Sequence, residues 1–124
     1  MKVIDEDDVR AVAASVLDGP LEVRDWGLLK SAVARPSTTV FGEDAYPTAW
    51  DKAAALLHSL VRNHALVDGN KRVGFGCAVL LLFKNGIRVA FEEDEAYDLV
   101  IAVAEGRLEV PAIAAALERW ALPV

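Results

Sequence analysis

Apolar residues recur at helical spacing along almost the whole chain, and this periodicity limits the possible folds more than any other feature. In the first segment they occupy positions 9, 12, 13, 16 and 17, and in the second they occupy positions 28, 29, 32 and 33. Residues 37 to 46 lack this spacing and are rich in threonine, glycine and aromatic residues. The sequence therefore predicts a compact all-α fold of six helices, with a loop or short β-hairpin before the third helix.

The first three helices have recognisable ends. Asp18–Pro20 stops the first helix, and Asp25 provides an N-cap for the second. The second helix is expected to end before Arg35–Pro36, because a residue that precedes proline is disfavoured in the αR conformation. Extended backbone is expected at residues 38 to 41, and Pro47 is expected in the first turn of the third helix.

The fourth helix is expected to run from about Asn70 to Lys84, and it is apolar on almost every side. Such a helix belongs at the centre of a bundle, and Asn85–Gly86 is suited to close it. A fifth helix is expected over about residues 92 to 104, and Pro111 opens a sixth that ends near Trp120. The expected core also contains Cys77 and the tryptophans at positions 26, 50 and 120.

The chain is expected to form a single domain over residues 1–124, since it contains no linker, repeat or low-complexity tract. Hydrophobic residues make up 54% of it, but no apolar run reaches membrane-spanning length and the N-terminus lacks a signal-peptide pattern. The single cysteine excludes a disulfide framework and a zinc cluster. We therefore expect a cytoplasmic protein without membrane contact, part of whose apolar surface is reserved for a protein partner.

The formal net charge of −6 argues against a protein whose main task is to bind nucleic acid. Basic residues nevertheless cluster at Arg62, Lys71 and Arg72. A local cationic pocket in an acidic protein fits a small anion better than a polyanion, so direct nucleic-acid binding is not expected.

The segment His64–Arg72, at the junction between the third and fourth helices, holds the main candidates for chemistry. Gly69 lets a ligand approach the outward-pointing N–H groups of a helix N-terminus, where the helix dipole attracts anions. Asn70, Lys71 and Arg72 add an amide donor and two cations suited to phosphate oxygens. The segment therefore predicts a phosphate-binding site.

Two further residues of this segment suggest a reaction. Asp68 is an oxygen ligand of the kind that Mg²⁺ uses together with substrate phosphates, and His64 could take a proton from an attacking hydroxyl. Taken singly, Asp68 could be a helix cap, His64 a C-terminal cap and Lys71–Arg72 a solvated pair. Their combination favours phosphoryl or nucleotidyl transfer, which depends mainly on positioning and charge neutralisation.

The segment resembles the signature of the Fic/Doc superfamily, His-x-Phe-x-Asp/Glu-Gly-Asn-x-Arg, which is matched position by position at His64, Asp68, Gly69, Asn70 and Arg72. The variant Asn-Lys-Arg at positions 70 to 72 resembles the Doc, or death-on-curing, toxin branch. Similar segments lie upstream at residues 24–32, 35–36, 41–42, 46–47 and 52–57. The resemblance extends from about residue 24 to residue 89.

This resemblance implies a six-helix fold with the motif between two central helices. It also implies a flap hairpin at residues 37 to 46 that binds the target segment as an added strand. By the same resemblance His64 is the general base and Asp68 is the Mg²⁺ ligand. The phosphates of ATP are then held by Gly69, Asn70, Lys71 and Arg72, with Arg62 as a further contact.

The resemblance further implies a toxin that uses ATP and Mg²⁺ to phosphorylate a threonine of elongation factor Tu, halts translation and is neutralised by a small Phd-like antitoxin. Fic relatives that transfer AMP usually have glycine in place of Lys71 and a second arginine in place of Phe75, so both residues favour phosphoryl transfer. Leu66 replaces the usual aromatic residue and can still anchor the loop. Gly76 removes a polar contact that some Doc proteins have.

Two alternatives stay open at this point. The same pocket could transfer AMP to a protein hydroxyl, or the chain could be a non-catalytic module that binds an anion or an antitoxin tail. A helix-turn-helix DNA-binding protein is disfavoured, because the chain is acidic and has no basic recognition helix. His58, His64 and Cys77 are too few ligands for a metal cluster, and His58 is expected to be a packed or edge residue of the third helix.

Overall fold

The structure is a computed structural model that describes residues 1–123. It contains two short antiparallel strands, β1 (Thr39–Val40) and β2 (Glu43–Asp44), and a 3₁₀ turn at Arg35–Ser37. The six α-helices are α1 Glu6–Val16, α2 Trp26–Ala34, α3 Ala49–Asn63, α4 Asn70–Lys84, α5 Glu93–Ala104 and α6 Val110–Arg119. The predicted all-α, six-helix fold with a hairpin before the third helix is confirmed. Over residues 1–123, no helix is both long enough and apolar enough to cross a bilayer.

The centre of the bundle is α3, which packs against α2, α4, α5, α6 and the 3₁₀ turn. Ten of its 15 residues are buried, including the polar residues Lys52 and Ser59. The prediction that the fourth helix occupies the centre was wrong. The outer side of α4 exposes Phe83, and its Phe75 lines a surface groove. Apolar composition alone could not distinguish a groove-lining side from a core-facing side.

The first helix packs on α4 through a close contact and an ion pair. Asp5 begins α1 with a capping box, in which it and Asp8 each accept the other's backbone N–H. Gly76 lets the two helices approach, because a Cβ at that position would lie 2.6 Å from Val12 Cγ1. Lys84 Nζ lies 2.6 Å from Asp8 Oδ2. Gly76 thus has a packing role that the resemblance to Doc proteins did not suggest.

Two local predictions, and the reason given for a third, differ from the structure. The second helix ends at Ala34, before Arg35–Pro36 as predicted, but Arg35 itself keeps the αR conformation (φ −53°, ψ −43°) and the chain tightens into the 3₁₀ turn. Pro47 precedes α3, because the N-cap is Thr48, whose side chain bonds the first turn. Phe41 lies in the hairpin turn at φ 52° beside Gly42 at φ 80°, and so is not part of the extended segment.

Most of the predicted helix ends and core positions are confirmed. The Asp25 carboxylate caps α2 by accepting the N–H of Leu28 at 3.0 Å. Cys77 is fully buried, and burial raises the pKa of its thiol to about 12, with a smaller contribution from the negative charge of Asp8. Of the predicted core tryptophans, Trp50 and Trp120 are half-buried and pack against the core. Trp26 begins α2 at the surface, where it is exposed and stacks under Arg10 at 5.1 Å.

We expect Asp8→Asn to weaken the packing of α1 on α4. The Lys84 ammonium lowers the pKa of the Asp8 carboxyl below its usual 3.8. The carboxylate therefore stabilises the fold above pH 3.8, and this contribution is lost as the pH falls through the lowered pKa. Urea unfolding at pH 7 should show that the free energy of unfolding falls by about 1 kcal/mol, which is near the upper end of the range measured for exposed ion pairs.

The matched control is Asp7→Asn, in the same turn but on the exposed side of α1. Its stability at pH 7 should change less than that of Asp8→Asn. Two results would contradict a specific role for the Asp8–Lys84 pair. One is an equal loss of unfolding free energy in the two variants, and the other is a difference between their stabilities that persists at a pH where both carboxyls are protonated.

Candidate functional site

The turn between α3 and α4 begins with an unusual backbone conformation. His64 ends α3 in the left-handed region, at φ 52° and ψ 44°, which is uncommon for a residue other than glycine. Arg24 donates a hydrogen bond from Nη2 to the His64 carbonyl. The candidate base is thus fixed at the end of a buried helix, at the point where the chain changes direction.

A preceding segment of the chain supports this turn. Arg24 N–H donates to the Ala65 carbonyl at 2.8 Å, and Val67 N–H donates to the Glu22 carbonyl at 2.9 Å. The Leu66 side chain is 3% exposed and anchors the turn in the core, as its position in the motif led us to expect. The backbone between α3 and α4 is therefore held by the chain segment before α2 and by the core.

Asn70 closes the turn from the α4 side. Its Oδ1 accepts the N–H of Leu66 at 3.0 Å, and its Nδ2 donates to the carbonyl of Leu66 at 3.0 Å. These two bonds leave one amide hydrogen and the backbone N–H of Asn70 for a ligand. Its clearest contribution in the structure is therefore to hold the turn that carries the other candidate residues.

Gly69 precedes α4 at φ 82° and is packed against Leu17. Glycine is favoured at position 69 by its left-handed backbone, and a Cβ there would also displace the end of the Leu17 side chain. The first hydrogen bond of α4 runs from Val73 N–H to the Gly69 carbonyl at 2.9 Å. The N–H groups of residues 70 to 72 consequently have no partner inside the helix and form the expected anion-binding end.

The turn and the start of α4 open onto a groove of about 780 Å³. The groove is also lined by residues of α5, among them the exposed Glu93 and Tyr97, and by Phe75 of α4 and Phe91. The groove contains six of the seven predicted site residues: His64, Asp68, Gly69, Asn70, Lys71 and Arg72. The structure thus brings the candidate base, carboxylate and cations together in one site.

The two arginines predicted near the phosphates occupy different places. Arg72 Nη1 donates to the Val16 carbonyl at 3.2 Å, which anchors the guanidinium at the edge of the groove beside the end of α1. Arg62 does not line the groove, since its Nη1 donates to the Ala104 carbonyl at 2.9 Å and it packs against Gly106 at the end of α5. In this structure Arg62 joins α3 to α5.

The aromatic wall of the groove was not anticipated from the sequence. Phe75 meets Phe91 edge to face at 5.0 Å, and Trp120 packs against both rings at 6.2 and 5.4 Å. Trp120 also donates from Nε1 to Glu95 at 3.3 Å. The apolar excess on the outer side of α4 was the only sequence signal for this wall, and no spacing indicated that α5 would face the motif.

The surroundings of Asp68 suit a magnesium ion that is held mostly by a ligand. Over residues 1–123 no three metal-ligating side chains converge. Asp68 is exposed and lines the groove, and it also lines a second cavity of about 280 Å³ that it shares with Arg72, Asp18 and Glu22. One protein carboxylate is enough where substrate phosphates and water provide the other oxygens, so the residues present fit such an ion.

Comparison with known proteins gives two findings. Residues 3–82 match the family described as the Fic/DOC family. The chain is also 51% identical over 120 residues to Toxin Doc of Mycolicibacterium smegmatis, and the match covers 95% of this chain and 92% of that protein. Both the turn between α3 and α4 and the hairpin lie inside the matched region. The match also includes α1, which lies outside the resemblance noted in the sequence.

Gly69→Ala should destabilise the protein more than Gly42→Ala, although the two glycines have nearly equal φ values of 82° and 80°. A left-handed alanine costs about 1–2 kcal/mol at either position. Only at Gly69 would the added Cβ overlap a neighbour, since Gly42 is surrounded by open space. We expect the overlap with Leu17 to add about 1–3 kcal/mol, measured by urea unfolding.

A double-mutant cycle with Leu17→Ala checks the cause of this difference. Removing the Leu17 side chain should recover part of the loss in Gly69→Ala but none of the loss in Gly42→Ala. Equal losses for the two glycine variants, or the absence of coupling between positions 17 and 69, would contradict the proposed contact.

Proposed function

Because this chain belongs to the Fic/DOC family, we propose that it is the toxin of a toxin–antitoxin pair and acts as a protein kinase on a serine or threonine hydroxyl. Its 51% identity to Toxin Doc supports the assignment as a toxin. The observation that carries the proposed chemistry is the presence of His64, Asp68 and the start of α4 in one groove. We propose a translation factor as the target, with elongation factor Tu as the first candidate.

The motif residues can divide the work of phosphoryl transfer from ATP. The unpartnered N–H groups at the start of α4, together with Lys71 and Arg72, would bind the phosphates. His64 would take the proton of the acceptor hydroxyl as its oxygen bonds to the γ-phosphorus, while the bond from that phosphorus to the oxygen of the departing ADP breaks. Asp68 would hold Mg²⁺, which supplies charge neutralisation at the phosphates when bound.

The distribution of charge along the groove favours phosphoryl transfer over AMP transfer. The lysine and arginine side chains that line it, Lys71 and Arg72, both lie at the motif end. Phe75 stands where AMP-transferring relatives have a second arginine, and it packs into the aromatic wall beside Phe91. The groove therefore offers one cationic phosphate site, which suits binding of the transferred phosphate at the motif.

The other wall of the same groove suits a protein partner. Tyr97 is 65% exposed and Phe91 is 39% exposed, and both line the groove with apolar residues of α5. An amphipathic segment of a small Phd-like antitoxin could cover such a surface by placing its apolar side in the groove. A segment bound there would also block access to the motif.

The enzymatic assignment is tested by incubating the protein with ATP, Mg²⁺ and purified elongation factor Tu, followed by mass spectrometry. We expect the target to gain the mass of a phosphate. His64→Ala should reduce the rate by about 10²–10⁴-fold, the contribution typical of a general base. Asp68→Ala should also reduce it, and Lys30→Ala, an exposed change on α2, is the control.

Other outcomes would select the alternatives. A gain of the mass of AMP would identify a nucleotidyl transferase in place of a kinase. If folded His64→Ala and Asp68→Ala proteins still inhibited growth as strongly as the parent, the chain would act as a non-catalytic binding module.

A further inference from the structure

Two cationic side chains join the hairpin to the central helix, and the function proposed above does not use them. The strands β1 and β2 contain two residues each, and all four residues are exposed. An isolated hairpin of this size is at best marginally stable in water. The order of this hairpin must therefore come from contacts at its base.

Lys52 of α3 provides the first of these contacts. Its side chain is 5% exposed, and a buried ammonium is costly unless it is paired and hydrogen-bonded. Nζ donates to the Pro36 carbonyl at 3.0 Å and lies 3.6 Å from Asp44 Oδ2. Since Pro36 precedes β1 and Asp44 ends β2, a single ammonium group joins both sides of the hairpin to α3.

Arg35 provides the second contact, from the 3₁₀ turn. Its Nε donates to the Tyr46 hydroxyl at 2.8 Å, and its Nη1 donates to Ser59 Oγ at 2.9 Å. The same Nη1 faces His58 Nδ1 at 2.8 Å. Tyr46 follows β2, and Ser59 and His58 belong to α3, so Arg35 also connects the base of the hairpin to the central helix.

The environment of His58 is consistent with this network. Burial is the main cause that lowers the pKa of His58 below its usual 6.5, and the positive charge of Arg35 adds to the effect. A neutral imidazole can accept a hydrogen bond at Nδ1. Its Nε2 lies 3.3 Å from Glu109 Oε2 at the N-cap of α6, so the network extends to a third element.

We propose that Arg35 and Lys52 are positioning residues that hold the hairpin in a fixed place relative to His64, which ends the same helix. This inference rests on the proposed function. An acceptor segment that pairs with the hairpin would then present its hydroxyl to the imidazole without further ordering of the enzyme. Loss of either cation should weaken use of the protein acceptor while leaving the phosphate site at α4 intact.

The test uses Lys52→Met, which keeps an apolar stem of similar size, and Asp44→Asn, a milder change at a half-exposed position that does not threaten the core. Lys30→Met, at an exposed cation of α2, is the control. Amide hydrogen exchange at Val40, Glu43 and Ala45, whose N–H groups face the opposite side of the hairpin, should become at least about 10-fold faster in Lys52→Met, and less so in Asp44→Asn. The KM for the protein acceptor should rise by a similar factor, with the KM for ATP unchanged.

Two results would overturn the proposal. One is hairpin exchange in Lys52→Met and Asp44→Asn that equals exchange in the control. The other is an equal rise in the KM for ATP and in the KM for the protein acceptor, which would indicate that the substitution disturbs the whole fold. Failure of the proposed function gives a different result. In that case the unsubstituted protein would transfer no phosphate to the acceptor, and the residue at position 52 would make no difference.

Discussion

The burial of α3 on almost every side is the constraint on which the rest of the structure depends. Short side chains along the helix allow five neighbouring elements to approach it, and this contact fixes where each of them can lie. The buried part of α3 ends at Val61, and the helix reaches the surface in its last turn, where Arg62 and His64 are exposed. There the left-handed backbone of His64 turns the chain into the motif.

The same burial explains why polar residues of α3 are used for precise connections. Lys52 and Ser59 lie in the core, where an unpaired polar group would be costly, and each has a partner from the segment that carries the hairpin. The motif turn is likewise supported by backbone bonds to residues 22 to 25, by Asn70 and by Leu17. The hairpin and the motif turn are therefore both held by contacts within the protein, and order that exists before binding reduces the entropic cost of binding.

The sequence predicted those features that depend on neighbouring residues. The six helices, the N-cap at Asp25 and the grouping of His64 with residues 68 to 72 all follow from short segments, and the structure agrees with them. Features that depend on distant packing were missed. Arg62 lies in the basic cluster of the sequence, yet its side chain bonds the carbonyl of Ala104. The position of this carbonyl depends on how α5 packs against α3, which the local sequence does not reveal. The burial of Lys52 was equally hidden, since nothing in the helical pattern distinguishes a cation inside a bundle from one in solvent.

The position of Cys77 limits how small molecules can act on this protein. It is the only cysteine of the chain and lies less than two turns beyond the motif on α4. Its thiol is completely buried and has a pKa of about 12, so at neutral pH it is neither ionised nor accessible. Oxidants and cysteine-directed covalent inhibitors therefore find no reactive sulfhydryl near the groove, and a compound designed against this site cannot rely on a covalent bond to a cysteine.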